Sequence, residues 1–448
     1  MNERSIRGLF VIAVLALLAG CGSDTSQSGK SAGAKKTLSI TWAAWPPADV
    51  LATMAREWGA ANNVEIKTEF IPWSDFKDKI YAEFEKKSGK YDIVIGDSQW
   101  TGKGASEGHY LDITDWLKGL PNFSEIEPAA LTSYCEYPRG SGRYFAAPCE
   151  LDACGFAYRK DWFEDAKEKE AFKAKYNREL EVPKTWAELK DIAEFFHRPD
   201  QKQYGISLFT DNGQYDAVTM GFMQVMLAYG GNFCDQEFKV DGQINSKQSV
   251  EALTFYKSLC AFMPPDSEHF YHRQCLDAHE NGSVAMSMHF FALMPELTDP
   301  EKCKCAKATG FFAAPAGPAG RFASLGGTGF SIMKHTTPEK QQLARRFIQW
   351  FLQTENQKKW GSYPGCFSAN MKANSDPAVF SAAPFNVAFH DTLPLLRDFY
   401  NTPEYAELMQ SCQEHWHAAL YGKETPQQAL DLVAKEHTEI HKKAGVLK

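Results

Sequence analysis

No lysine- and arginine-rich tract occurs anywhere in the 448 residues. A phosphate backbone is bound through such patches, so the chain is poorly suited to nucleic acid. Beyond residue 20 there is no second long apolar run, and the mean hydropathy is −0.40. Nothing after the first twenty residues therefore reads as a membrane span. There is no internal repeat, which excludes solenoids and propellers, and no His-Glu-x-x-His, which excludes that zinc-hydrolase helix. Low-complexity sequence is confined to Gly22–Lys36 and to Ala313–Gly320.

What is present begins at the first residue. Arg4 and Arg7 precede the apolar run Leu9–Ala19, and Gly20-Cys21 follows. A helix over that run would rise only about 16 Å, against about 30 Å for a bilayer core. The pattern reads as a cleavable export signal, residues 1–20, rather than a permanent span. Leu18-Ala19-Gly20-Cys21 resembles a lipobox, which implies a lipid on Cys21 and a flexible tether over 21–36. The chain is then extracytoplasmic, at a cell surface or in a periplasm, and membrane-anchored. Glu3, Arg4 and Arg7 carry a net +1, so the remainder sits near −9 against −8 for the whole chain. Of the 11 cysteines, those beyond Cys21 are even in number, which in an oxidising compartment reads as disulfides. Cys135 and Cys149 flank a Gly-rich turn and form one candidate pair, with Cys154 competing. Cys303-Lys-Cys305 has the spacing of half a metal site, but no second such cysteine pair complements it, and no metal is expected.

The remaining chain is long enough for two lobes. Thr37–Trp42, Val64–Phe70 and Tyr91–Ile95 read as strands separated by helices over Asp49–Asn62 and Phe76–Lys87. This βαβαβ order predicts an α/β fold with mainly parallel sheets, whose ligands bind beyond the carboxyl ends of the strands. Helices dominate after Asp152. Thr185 followed by Glu188 has the form of a capping box, Gly205–Phe209 reads as a strand, and Thr219–Tyr229 as an apolar helix stopped by Gly230-Gly231. A strand returns over Phe322–Met333, followed by an amphipathic helix over Pro338–Gln353.

Eight phrases in fixed order resemble the carbohydrate-binding solute-binding proteins of bacterial ABC importers, the family that includes maltose-binding protein. They are Thr41-Trp-Ala-Ala-Trp45, Tyr91-Asp-Ile-Val-Ile-Gly-Asp97, Gly108-His-Tyr-Leu-Asp-Ile-Thr114, Gly142-Arg-Tyr-Phe-Ala-Ala-Pro148, Ala157-Tyr-Arg-Lys-Asp-Trp-Phe163, Pro183-Lys-Thr-Trp-Ala-Glu-Leu189, Asn281-Gly-Ser-Val-Ala-Met286 and Leu325-Gly-Gly-Thr-Gly329. The resemblance implies a two-lobed periplasmic-binding-protein fold whose lobes are joined by crossover hinge strands. Residues 37–148 and 326–364 would form one lobe, and residues 149–325 and 365–448 the other. It further implies a monomer that hands a sugar to importer membrane subunits, with no cofactor and no catalysis.

Sugars offer flat C–H faces and hydroxyl edges, so their sites combine aromatic rings with planar polar groups. Trp45, stiffened by Pro46-Pro47, follows the first strand, and Asp97-Ser-Gln99-Trp100 follows the third. The family pattern adds Asp152 beyond the first crossover, although this acid equally suits an ion pair at the hinge. Tyr215 and Asp216 lie in a polar loop that is either a cleft wall or a surface turn. After Ala285-Met286 the family pattern implies a small or aromatic contact, here His289 or Phe290, and Gly326-Gly327 allow close backbone approach. Two alternatives stand beside sugar binding. One is an extracytoplasmic glycoside hydrolase, although no two carboxylates can be paired from sequence as acid and nucleophile. The other is a binding protein for a polyamine or other amino-bearing solute, for which Asp97, Asp152 and Asp216 are suited. The lipid reading carries its own test. A Cys21→Ser precursor is expected to incorporate no labelled palmitate and to leave the membrane fraction, and unchanged membrane partition would remove it.

Overall fold

The structure is a computed structural model that describes residues 35–213 and 215–447. The export signal, Cys21 and nearly all of the tether lie outside the described residues. The order strand, helix, strand, helix, strand opens the fold: β1 (Lys36–Ala43), α1 (Pro46–Asn62), β2 (Val64–Ile71), α2 (Trp73–Lys86) and β3 (Ile93–Asp97). Two prolines occupy the first turn of α1, where a missing N–H leaves no bond unmade. The helix ends at Asn63, which adopts the left-handed conformation with φ 54°. β1 pairs in parallel with both β2 and β3, so it lies between them.

The next strand, β4 (Ala147–Arg159), is buried at every residue from Ala147 to Ala157. A strand this apolar on both faces belongs inside a covered sheet. Beyond it lie α3 (Trp186–Phe196), β5 (Tyr204–Ser207), α4 (Ala217–Ala228), α5 (His272–Glu280), β6 (Val284–Phe290), β7 (Thr309–Phe312), β8 (Ala323–Ile332), α6 (Pro338–Phe351) and α7 (Tyr405–Leu420). The capping box at Thr185 and Glu188 is formed in both directions. α4 is buried on nearly its whole circumference, matching its unbroken apolar sequence.

One sheet runs through the molecule in the order β2-β1-β3-β8-β4-β6-β5, with β7 also paired to β4. Thr328–Ile332 of β8 lie antiparallel to β3, while Leu325–Phe330 lie antiparallel to the first part of β4. The second part of β4, Cys154–Arg159, pairs antiparallel with β6 and β7. β4 and β8 thus cross from one lobe to the other, and their register shifts between Thr328 and Gly329. The expected parallel order holds for the outer strands, β1 with β2 and β3, and β5 with β6. The crossing pair adds an antiparallel centre, because β8 enters from the second lobe and runs back against β4. Glu150, fully buried on β4, accepts hydrogen bonds from Trp360 Nε1 and Phe367 N, both at 2.8 Å, tying the crossing strand to the segment after α6. No helix among the described residues is long and apolar enough to cross a membrane.

The disulfide expectation is corrected: all ten cysteines beyond Cys21 are free. Most are packed as small apolar side chains, a role unpaired cysteine commonly fills. Burial pushes the thiols of Cys135, Cys149 and Cys154 well above the ordinary thiol range, which makes them poor nucleophiles for exchange. A chain produced without residues 1–21 and unfolded without reductant is therefore expected to react with ten equivalents of a thiol reagent. A lower count would mean that pairs form.

Candidate functional site

A cavity of about 280 Å³ lies where the crossing strands meet the ends of the outer ones. From the first lobe, the carboxyl end of β1 contributes Ala43, Ala44 and Trp45, the start of α2 contributes Trp73, and the end of β3 contributes Asp97. The floor is Asp152 on β4 and Leu325–Thr328 on β8. Opposite stand Asp216 and Met220 at the start of α4, Tyr271, His272, Arg273 and Leu276 at the start of α5, Phe290 at the end of β6, and Leu293 and Glu296 beyond it. Strand carboxyl ends and helix amino ends surround the space, as the chain order leads one to expect in a doubly wound sheet.

Local sequence explains how the rings are held. Trp45 occupies the cap position of α1, and its ring meets the edge of the buried Trp42 at 5.2 Å between centroids. Trp73 opens α2 directly after Pro72 and stacks on Trp100, 6.4 Å away and tilted by 15°. The indole N–H of Trp45 has no hydrogen-bond partner among the described residues, and Asp216 is a partner for that of Trp73. The two glycines of the floor are required by space. A Cβ on Gly326 would stand 2.7 Å from the Phe290 ring, and Gly327 has φ +117°, with its Cβ position 2.6 Å from Glu150 O. Tyr134 Oη donates to Gly326 O at 2.9 Å and holds the floor from beneath.

Three acids of the cavity, Asp97, Asp152 and Asp216, are buried, and burial raises each of them. Burial raises Asp152 to about 7, opposed by the backbone N–H groups of Ala153 and Ala292 at 2.8 and 3.1 Å. Burial likewise raises Asp216 to about 7, opposed by the hydroxyl of Tyr271, which donates to its Oδ1. Asp97 is pushed well above the carboxylate range by burial and by the nearby Asp216 and Asp398 charges. His272 is lowered to about 3 by burial and is neutral at physiological pH. The charge of Arg273 is engaged by Asp277 at 2.9 Å and by Glu296 of the cavity wall at 3.1 Å, with Glu280 a third partner. Near neutral pH the wall thus carries carboxyl groups that both donate and accept hydrogen bonds.

Of the residues singled out from sequence, Trp45, Asp97, Asp152, Asp216, Phe290, Gly326 and Gly327 line this cavity. Gln99, Trp100, Tyr215 and His289 do not. Ser98–Trp100 form a tight 3₁₀ turn after β3, which rotates Gln99 and Trp100 back into the lobe. Trp100 is 1% exposed, and its Nε1 donates to Tyr215 Oη at 2.6 Å. Tyr215, at φ 35°, reaches from the second lobe onto Trp73 and Trp100 and lies 2.8 Å from Tyr405 Oη. His289 alternates away from Phe290 along β6 and contacts Ser287 Oγ at 2.7 Å. The residues missed were Trp73 and the first turn of α5. Trp73 was within reach, since it follows β2 as Trp45 follows β1. The start of α5 carries no local signal, because its place depends on how the second lobe packs.

A Gly-x-Ser-x-Gly run occurs at Gly104-Ala-Ser-Glu-Gly108. It sits at the end of a short helix, where Ser106 Oγ donates to Gly102 O at 2.8 Å, and not on the strand-to-helix elbow that exposes a nucleophile. None of its residues lines the cavity.

Residues 44–358 match the pattern of the family described as bacterial extracellular solute-binding protein. Over 184 residues the chain is 27% identical to the putative ABC transporter periplasmic-binding protein YcjN of Escherichia coli K12, spanning 40% of each chain. Over 418 residues it is 24% identical to the diacetylchitobiose binding protein DasA of Streptomyces coelicolor, spanning 89% of this chain and 90% of that one. Among solved structures, an ABC transporter solute-binding protein of Agrobacterium radiobacter K84 in complex with ribitol superposes with a TM-score of 0.78. It is 27% identical and covers 90% of this chain and 98% of its own.

The raised acids predict a pH dependence. A carboxyl whose pKa rises on folding holds its proton more tightly when folded, so its stabilising contribution is lost as pH rises from about 4 towards 7. Asp216→Asn removes that loss. Relative to the unmutated protein, the variant is expected to gain up to about 1.4 kcal/mol per pH unit across this window in ligand-free unfolding experiments. Parallel stability profiles for the two proteins would contradict the assignment.

Proposed function

The chain belongs to the bacterial extracellular solute-binding protein family, and from that premise we propose that it captures a carbohydrate or polyol between its two lobes for an ABC importer. The observation that carries this reading is the composition of the cavity wall: Trp45, Trp73, Tyr271 and Phe290 offer ring faces, and Asp97, Asp152 and Asp216 offer buried carboxyl groups. Rings cover the C–H faces of a sugar or polyol, and carboxyl groups exchange hydrogen bonds with its hydroxyls. A volume near the low end of the about 300–1,000 Å³ usual for small-molecule sites suits a ligand of one or two sugar units. The ribitol complex and the diacetylchitobiose relative support the same solute class. In this reading the lobes are residues 37–148 with 326–364 and residues 149–325 with 365–448, and they hinge on β4 and β8. Cys21 carries the lipid that keeps the protein at the membrane, and the solute is released unchanged.

Asp97, Asp152 and Asp216 on the wall, with Arg273 already engaged by Glu296, favour as second reading a solute bearing an amino group. One screen separates the two. Monosaccharides, disaccharides, polyols and polyamines are each added at increasing concentration while thermal unfolding is followed. A true ligand at one hundred times its Kd adds about 2.7 kcal/mol of stability. Trp73→Ala is then expected to weaken binding by about 1–3 kcal/mol, roughly tenfold to a hundredfold, with little change in the ligand-free melting point. Trp42→Ala, a core truncation, is expected to cost about 3–5 kcal/mol of stability instead. A screen in which no sugar or polyol stabilises the protein, or turnover of any glycoside, would overturn the proposal.

A further inference from the structure

Away from the cavity, the structure joins three residues that the chain keeps apart. Cys303 and Cys305 lie in the loop before β7, and His279 lies in the last turn of α5. A ring nitrogen and the two sulfurs all fall within 4.8 Å of one another, and all three residues are buried. Backbone bonds already hold the loop in place, with Lys304 N donating to Glu280 O at 2.9 Å and Cys303 N to Asp299 O at 2.8 Å. Thr309 Oγ1 stands 3.1 Å from His279 Nε2 and 3.8 Å from Cys305 Sγ, as a fourth donor. The other ring nitrogen, Nδ1, lies 2.8 Å from Ser287 Oγ. A hydrogen-bond partner on the free nitrogen is what a metal-bound imidazole regularly has.

We propose that His279, Cys303 and Cys305 bind one zinc ion, with Thr309 completing a tetrahedron, and that the ion fastens this loop to the end of α5. Thiolate and imidazole together select thiophilic cations. On binding, Zn²⁺ displaces the two thiol protons, and two thiolates against a dication leave no net charge to bury. A monovalent soft ion would leave one negative charge uncompensated. Geometry also separates zinc from a disulfide. The sulfurs lie 3.4 Å apart, and Zn–S bonds of about 2.3 Å in a tetrahedron need about 3.8 Å between them. They must open by only about 0.4 Å, whereas a disulfide of about 2.05 Å needs far more closure.

The test uses the reduced full-length chain with Co²⁺ as a spectroscopic probe. A thiolate-to-cobalt charge-transfer band and tetrahedral ligand-field bands are expected to saturate at one equivalent and to vanish when Zn²⁺ is added. The C303S/C305S double variant, which keeps the other nine cysteines of the chain, is expected to lose both signals. On the unmutated chain, one equivalent of Zn²⁺ is expected to slow amide hydrogen exchange at least tenfold over residues 299–308, which tests the site even if the variant fails to fold. Bands that survive in the variant, no saturation at one equivalent, or a Cys303–Cys305 disulfide in protein isolated without reductant would each overturn the proposal.

Discussion

The antiparallel pairing of β4 with β8 is the constraint on which the rest of the structure depends. These two strands alone among the sheet's central elements pass from one lobe into the other, and the register shift at Thr328/Gly329 lies on the cavity floor. Because backbone hydrogen bonds run across that floor, the side chains beside it have little freedom in size. Gly326 and Gly327 cannot be enlarged without striking Phe290 or Glu150 O, and Tyr134 and Trp360 brace the same strands through Gly326 O and Glu150. A ligand resting on Asp152 and Gly326 therefore rests on the one part of the sheet that belongs to both lobes.

Around that floor the protein concentrates acids where water is scarce. A buried carboxylate without a cation is expensive, and the usual response is to keep the proton. Arg273 is close enough to matter but spends its charge on Asp277, Glu280 and Glu296. Asp152 and Asp216 thus sit near their midpoints at neutral pH, each raised to about 7. A neutral polyhydroxyl solute satisfies such groups without changing their charge. A cation would draw their protons off.

Contacts between the lobes extend beyond the floor. Tyr215 spans them, with its hydroxyl accepting from Trp100, near Asp97 at 3.4 Å and beside Tyr405. Lys77 Nζ lies 5.5 Å from the centre of its ring. This aromatic and hydroxyl cluster backs Trp73, so a ring on the cavity wall is supported by residues of both lobes. Trp100 contributes through Trp73 rather than by facing the cavity itself.

Local regularities were legible in the sequence by itself. Apolar alternation located β1, β2 and β3, the capping box located α3, and the rule that ligands meet strand carboxyl ends pointed to Trp45, Asp97 and, with the family pattern, Asp152 and Gly326-Gly327. These depend on interactions between residues a few positions apart, which a linear pattern records. The tertiary structure alone decided the direction of individual side chains and every meeting between distant segments. The 3₁₀ turn after β3 swung Gln99 and Trp100 inward, and the pleat of β6 sent Phe290 to the cavity and His289 away. Packing of the second lobe brought the start of α5 to the wall. It also set His279 beside Cys303 and Cys305. A one-residue rotation or a helix-to-loop contact leaves no periodic trace along the chain, because its energy comes from partners that only the fold brings near.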